Sequence, residues 1–159
     1  MVELLKTSST TCVMFCKHDL PCLPEHLHYE MYRTQTQKDK KERDPSHIWM
    51  NLVVIDCVPL LFYLQYLVYM HDRHSARKLT AMFDLMDLLD QRLEQWLRKH
   101  AVGHVETALH ALAHCWELEN RPDVAWHLYQ QSINLFPTNN IAWVHLIRLF
   151  QKIFLRFER

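Results

Sequence analysis

From Ser46 onward, apolar residues recur at spacings of three and four, the period of an amphipathic helix, whereas the first 45 positions hold no sustained period. Over 76–100, Leu79, Met82, Phe83, Met86, Leu89, Leu93, Trp96 and Leu97 share one face, with Asp84, Asp87 and Asp90 opposite. The stretch from Val105 to Glu119 carries Leu109, Leu112, Ala113 and Trp116 as its stripe. Asn120-Arg121-Pro122-Asp123 reads as a turn, with Pro122 opening the next helix and Asp123 beside its N-terminal dipole. That helix, 124–135, carries Ala125, Leu128, Tyr129, Ser132 and Ile133. Phe136-Pro137-Thr138-Asn139 breaks the pattern, and Thr138 or Asn139 is placed to cap a last helix over 141–157, through Trp143, Leu146, Ile147, Phe150, Ile153, Phe154 and Phe157.

Ahead of these helices lies the apolar run Ile48–Met70, whose only charge is Asp56. It is long enough to cross a bilayer, and a membrane-anchored helical protein is one expectation. Asn51, Asp56, Pro59 and Gln65 stand against a span. Pro59 instead predicts two helices or one kinked helix buried in protein, with Ser46 as N-cap. Residues 1–24 read as irregular, and Glu25–Arg33 as one or two amphipathic helical turns. Residues 34–46 read as a charged linker, whose KDKKER run is exposed surface or a nuclear localisation signal. The expected organisation is a tail and linker over 1–45 and a helical domain over 46–159.

Composition narrows the class. The chain has one glycine, Gly103, where average usage of about 7% leads one to expect roughly ten. Nucleotide-binding glycine loops, a nucleophile elbow and glycine-turned β-hairpins are thereby disfavoured. The fold class expected is all-α, with Gly103 marking a helix boundary. Lys plus Arg and Asp plus Glu both number 18, so no basic footprint for direct nucleic-acid binding exists. Five cysteines and an N-terminus without a signal-like apolar core fit reduced thiols inside the cell, nuclear or cytoplasmic. No catalytic set stands out, and an enzyme is not expected.

HIWMNLVVI (47–55) and IAWVHLIRL (141–149) both follow a proline and share Trp, then Leu three residues on, a sign of internal repetition. Over 106–150 the chain resembles the tetratricopeptide family. Leu112, Ala113 and Trp116 match its first helix, Ala125, Tyr129 and Ser132 its second, Pro137 its closing proline, and Trp143, Leu146 and Phe150 the start of the next unit. The Trp-rich pattern is also similar to half-a-TPR repeats. The resemblance implies an α-solenoid of antiparallel helix pairs, with 46–100 a degenerate part and 105–159 the repeat-like part. It implies a non-catalytic protein-interaction scaffold, as in nuclear RNA processing, whose groove would present His110, His114, Glu117, Val144, His145 and Arg148 to a peptide or helical partner.

Metal chemistry has one candidate set. Cys16-x5-Cys22-x3-His26 has the spacing of the last three ligands of a CCCH zinc finger, with Cys12 as a displaced fourth. A zinc-binding interaction module over 12–28 is therefore a third expectation; otherwise no cofactor is called for. A finger followed by half-a-TPR repeats resembles the zinc finger C3H1 domain-containing scaffolds of RNA decay. His100, His104, His110 and His114 also cluster on one helical face with ligand-like i,i+4 pairs, but Gly103 interrupts the helix and no HExxH motif or carboxylate ladder accompanies them.

Overall fold

A computed structural model describes residues 11–33, 52–99 and 104–157. Strand β1 (Cys12–Phe15) is followed by a 3-10 turn, Lys17–Cys22. Helix α1 (Glu25–His28) then runs directly into a second 3-10 turn, Tyr29–Tyr32. Strand β2 (Val53–Asp56) leads into α2 (Cys57–His71), α3 (Ser75–Lys99), α4 (Val105–Leu118), α5 (Pro122–Leu135) and α6 (Ala142–Phe157). The chain is mostly helical, as its periodicity predicts.

A small sheet accompanies the helices, and the mostly helical chain is consistent with the all-α expectation. β1 and β2 pair antiparallel, Cys12 opposite Asp56 and Phe15 opposite Val53. Glycine scarcity disfavours tight hairpins, but these strands lie far apart in sequence and need no hairpin turn. Val53, Val54 and Ile55 are consecutive β-branched residues, all buried, which is the pattern of a short strand covered on both faces. The apolar run 48–70 is thus a strand and a 15-residue helix over its described part. No helix among the described residues is long and apolar enough to cross a membrane. Pro59 neither kinks nor divides α2: it lies in the first turn, where its missing N–H has no intrahelical partner to lose. The proposed likeness of 47–55 to 141–149 also fails, because Val53–Ile55 is strand whereas 142–149 is helix. Ser46, the KDKKER run, His100 and Gly103 lie outside the described residues.

α4 is the central helix. Val105, Ala108, Leu109, Ala111 and Leu112 are buried in a core shared with Tyr63 and Tyr66 of α2, Leu85 and Leu89 of α3, and Leu23, Leu27 and Met31 of the N-terminal turns. A second cluster joins α4, α5 and α6 through Ala113, Ala125, Tyr129, Ala142, Leu146 and Leu149. Three fully buried alanines at this crossing let the helix backbones approach closely, which is the packing logic of stacked helix pairs. Of the expected α3 stripe, Met82 and Leu89 are buried and Met86 and Leu93 pack against the core, whereas Leu79 and Phe83 are exposed and Ala81, Leu85 and Leu88 are buried beside them. Small Ala81 admits a neighbouring helix where bulky Phe83 does not. The side chains of Trp96 and Leu97 lie outside those described. Asp84, Asp87 and Asp90 form the exposed outer side, as expected.

The connections that the structure describes hold no glycine. Arg73, Asn120 and Asn139 take the positive-φ positions; asparagine tolerates that region better than most residues. Pro122 opens α5 as its spacing predicts. The start of α6 is held not by Thr138 or Asn139 but by Asn140. Its Oδ1 accepts from the Ala142 N–H at 2.8 Å, while its amide donates to the Ser132 and Phe136 carbonyls, both at 3.0 Å.

Candidate functional site: a buried histidine, glutamate and arginine cluster

Helical spacing places His110 and His114 one turn apart on α4, and His145 and Arg148 on one side of α6. The resemblance makes this the groove face. In the structure the chain's own N-terminal turns cover it. His26, Glu30 and Arg33 stand at i, i+4 and i+7 and reach into the helical face together, while Leu27 and Met31 beside them enter the main core. The His26 ring is sandwiched between those of His114 and His145, with centroids 4.1 Å away on each side. Its Nε2–H donates to the His110 carbonyl at 3.2 Å.

Glu30 is the hub. One carboxylate oxygen lies 2.5 Å from His110 Nδ1 and 4.0 Å from His145 Nε2. The other accepts from the Arg33 guanidinium at 3.1 Å. Arg33, itself buried, also donates to Glu106 at 2.8 Å and to the Thr107 hydroxyl at 2.6 Å. On its far side, His110 Nε2 meets Ser132 Oγ at 2.8 Å, and that hydroxyl accepts from the Asn140 amide at 2.9 Å. Burial pushes the Glu30 carboxyl up, but His110 and Arg33 beside it outweigh burial and hold it at about 2. Glu106 is likewise held at about 2 against its burial, by His104 and Arg33. For His26 and His145 burial is the largest cause, and it drives both well below the usual imidazole range. His114 is lowered to about 4, again chiefly by burial. The cluster therefore joins an ionised carboxylate pair and a guanidinium to three imidazoles, His26, His114 and His145, that resist a second proton.

Ser132, His110 and Glu30 are linked in the order of an acyl-transfer triad: hydroxyl, imidazole, carboxylate. Geometry alone is not enough for that chemistry, which needs a carbonyl to reach the hydroxyl. Ser132 Oγ is enclosed (0% residue exposure) and occupied by the Asn140 amide. Two surface grooves, one between α5 and α6 and one near Glu117 and Lys152, are lined by other residues.

Of the six expected groove residues, the structure brings His110, His114 and His145 into the buried cluster. Arg148 sits at its rim, 4.7 Å over the Tyr29 ring and 3.1 Å from His145 Nδ1. Glu117 accepts from Tyr129 Oη at 2.7 Å and from Lys152 at 2.8 Å. Val144 is half-buried alongside. The expected thiol set does not converge. Cys12 lies exposed on β1 and Cys22 is exposed in the 3-10 turn. Cys16 lies 4.0 Å from His18, and His26 points into the imidazole stack. Among the described residues, the one group of three or more metal-ligating atoms within reach of one another is Glu30, His110 and His145. Sequence reasoning missed Glu30, Arg33 and Asn140; the i, i+4, i+7 spacing of His26, Glu30 and Arg33 was the available signal.

The outer surface offers a different kind of site. Trp143, Ile147, Phe150 and Phe154 are 50, 57, 50 and 54% exposed, and their 4-3-4 spacing keeps them on one stripe of α6. Trp143, Ile147 and Phe150, with Leu146 beside them and Trp126, Gln130, Ile133 and Asn134 of α5 opposite, line a groove of about 420 Å³ that carries no charged residue. No known protein family, curated protein or solved structure matches the chain.

Proposed function

We propose that the chain is a non-catalytic protein-interaction scaffold of helical-repeat type, and that it docks an amphipathic helix of another protein in the uncharged groove between α5 and α6. The observation that carries this reading is the exposed stripe Trp143, Ile147, Phe150 and Phe154. Half-exposed side chains of this size leave about 100 Å² each open, roughly 400 Å² together, which is as large as the largest patch on a typical monomer. Two helices that each present a seam of threes and fours form the bed for a third, the helix-in-groove mode of recognition. The neutral lining calls for an apolar partner face. Covering about 400 Å² on each side yields about 20 kcal/mol gross at 25 cal/mol/Å². The costs of association consume much of that, so micromolar affinity is expected. The likeness to stacked helix pairs, carried by Leu112, Ala113, Ala125, Tyr129 and Pro137, supports a solenoid scaffold. Its half-a-TPR character favours nuclear RNA processing as the setting.

The test is a fluorescence titration with a synthetic amphipathic helix, its leucines spaced by three and four and its other face lysine and glutamate. Binding should shift the Trp143 emission and saturate at micromolar peptide, and Ile147→Asp with Phe150→Asp should abolish it. No shift at about a hundredfold higher peptide would contradict the proposal. Dimerisation of the chain alone through this groove, seen by sedimentation and lost in the same double variant, would replace the foreign helix with a second copy.

A further inference from the structure

We infer that Glu30, His110 and His145 form a binding site for one divalent transition-metal ion of the zinc class, which pins the N-terminal turns to α4 and α6. Three lines of geometry support it. The donor atoms (a carboxylate oxygen and two imidazole nitrogens) all lie within 4.8 Å of one another and are buried. Two imidazoles and a carboxylate are a recurrent zinc donor set. His145 Nε2 is fully enclosed and has no hydrogen-bond partner, and it faces Glu30 Oε1 from 4.0 Å. An unpaired polar atom in that position is costly unless something bridges it to the carboxylate. Finally, the support behind His110 is the kind that a ligating imidazole needs. Its Nε2 meets Ser132 Oγ at 2.8 Å, and the Asn140 amide holds that hydroxyl at 2.9 Å. An imidazole bound to metal through Nδ1 donates its remaining N–H to an oxygen of this sort.

Loading asks for two local changes. The proton between His110 Nδ1 and Glu30 is displaced, since a ligating nitrogen must offer its lone pair. The Arg148 guanidinium now donates to His145 Nδ1 at 3.1 Å, which keeps the ring proton on Nε2. With metal on Nε2 that proton moves to Nδ1, and Arg148 gives up the contact for the Tyr29 ring, over which it already lies at 4.7 Å. Three protein ligands leave the fourth tetrahedral position to water.

The experiment uses the full chain, stripped of metal by chelator, dialysed and titrated with cobalt(II) and then zinc(II). The expected result is one cobalt per chain, with the visible absorption of a tetrahedral nitrogen and oxygen site and no thiolate charge-transfer band. Zinc should displace the cobalt, and in hundredfold excess over its Kd it should raise Tm by about 5 to 10 °C. Cys12→Ser with Cys16→Ser and Cys22→Ser should keep that uptake, whereas Glu30→Gln and His145→Gln should each lose it. Uptake below about a tenth of an equivalent, against the full occupancy a site coupled to folding shows, would overturn the inference. So would a thiolate band, or loss of binding in the triple serine variant. The cobalt spectrum of the unaltered chain decides between thiolate and imidazole ligands even where the Glu30 and His145 variants fail to fold.

Discussion

Replacing Arg33 with methionine removes the one guanidinium of the buried cluster while keeping an unbranched side chain. The polar contacts of Arg33 include the Glu30 carbonyl at 3.2 Å, Glu30 Oε2 at 3.1 Å, Glu106 at 2.8 Å and Thr107 at 2.6 Å. Without it, two carboxylates remain near each other with no guanidinium between them. Removing one partner of a buried ion pair costs about 3–5 kcal/mol, because the other charge is left stranded. The Glu30 carboxyl gives an independent figure. It is held at about 2 against an ordinary 4.5, a difference worth about 3 kcal/mol of stability at neutral pH. Arg33 supplies part of that, and the exposed need of Glu106 adds to it. A loss of about 3 kcal/mol lowers Tm by about 6–12 °C in a chain of this length. Thermal unfolding followed by circular dichroism at pH 7 reads it directly. The sign of the pH dependence is a second check. A carboxyl lowered on folding stabilises above its unfolded value and loses that contribution as pH falls from about 4.5 towards 2. In the methionine variant the stranded carboxylates are relieved by protonation, so its deficit should shrink as pH drops from 7 to 4. A Tm within about 2 °C of the unaltered chain at pH 7, less than a single kcal/mol, would refute the claim that the guanidinium locks the N-terminal turns in place.

Two further outcomes test the surrounding packing. Ala113→Leu forces a larger side chain into the crossing with Ala125 and Ala142 and should cost about 1–3 kcal/mol in urea unfolding; an unchanged midpoint would show that the helices are not in close contact there. His114, chiefly through burial, is held at about 4 against 6.5 unfolded. A histidine lowered on folding is stabilising above its unfolded value, and that stability is lost as pH falls from 6.5 towards 4. Unfolding at pH 5 should therefore be about 2 kcal/mol easier than at pH 7 on this account, and His114→Gln should flatten the slope; a slope unaffected by the substitution would remove His114 as its source.

α5 was legible because burial follows a single period there. Ala125, Tyr129 and Ser132 are buried on α5 at the spacing that the periodicity assigns, and α5 begins at Pro122 as the turn residues require. β2 was hidden because a consecutive apolar run carries no period to separate a buried strand from a buried helix. The β-branched character of Val53, Val54 and Ile55 was the usable sign. α3 was read only in part because it offers two overlapping stripes that share Met82, Met86, Leu89 and Leu93, and only the neighbouring helices choose between them. The cluster was half legible. His110, His114 and His145 were named as one face, but what fills that face comes from residues about 80 positions earlier in the chain. No local pattern announces a contact of that separation; Glu30 and Arg33 gain their meaning only when α1 packs on α4.

The central claim is that the N-terminal turns close the inner face of α4 and α6 and leave the groove between α5 and α6 as the docking surface. Hydrogen–deuterium exchange of the full chain, with and without the amphipathic leucine peptide, tests it most directly. The account predicts new protection confined to 126–134 and 143–154, with 25–33 already protected and unchanged. Deprotection of 25–33 together with new protection across 106–117 would contradict it, because the peptide would then have displaced the chain's own turns from the histidine face.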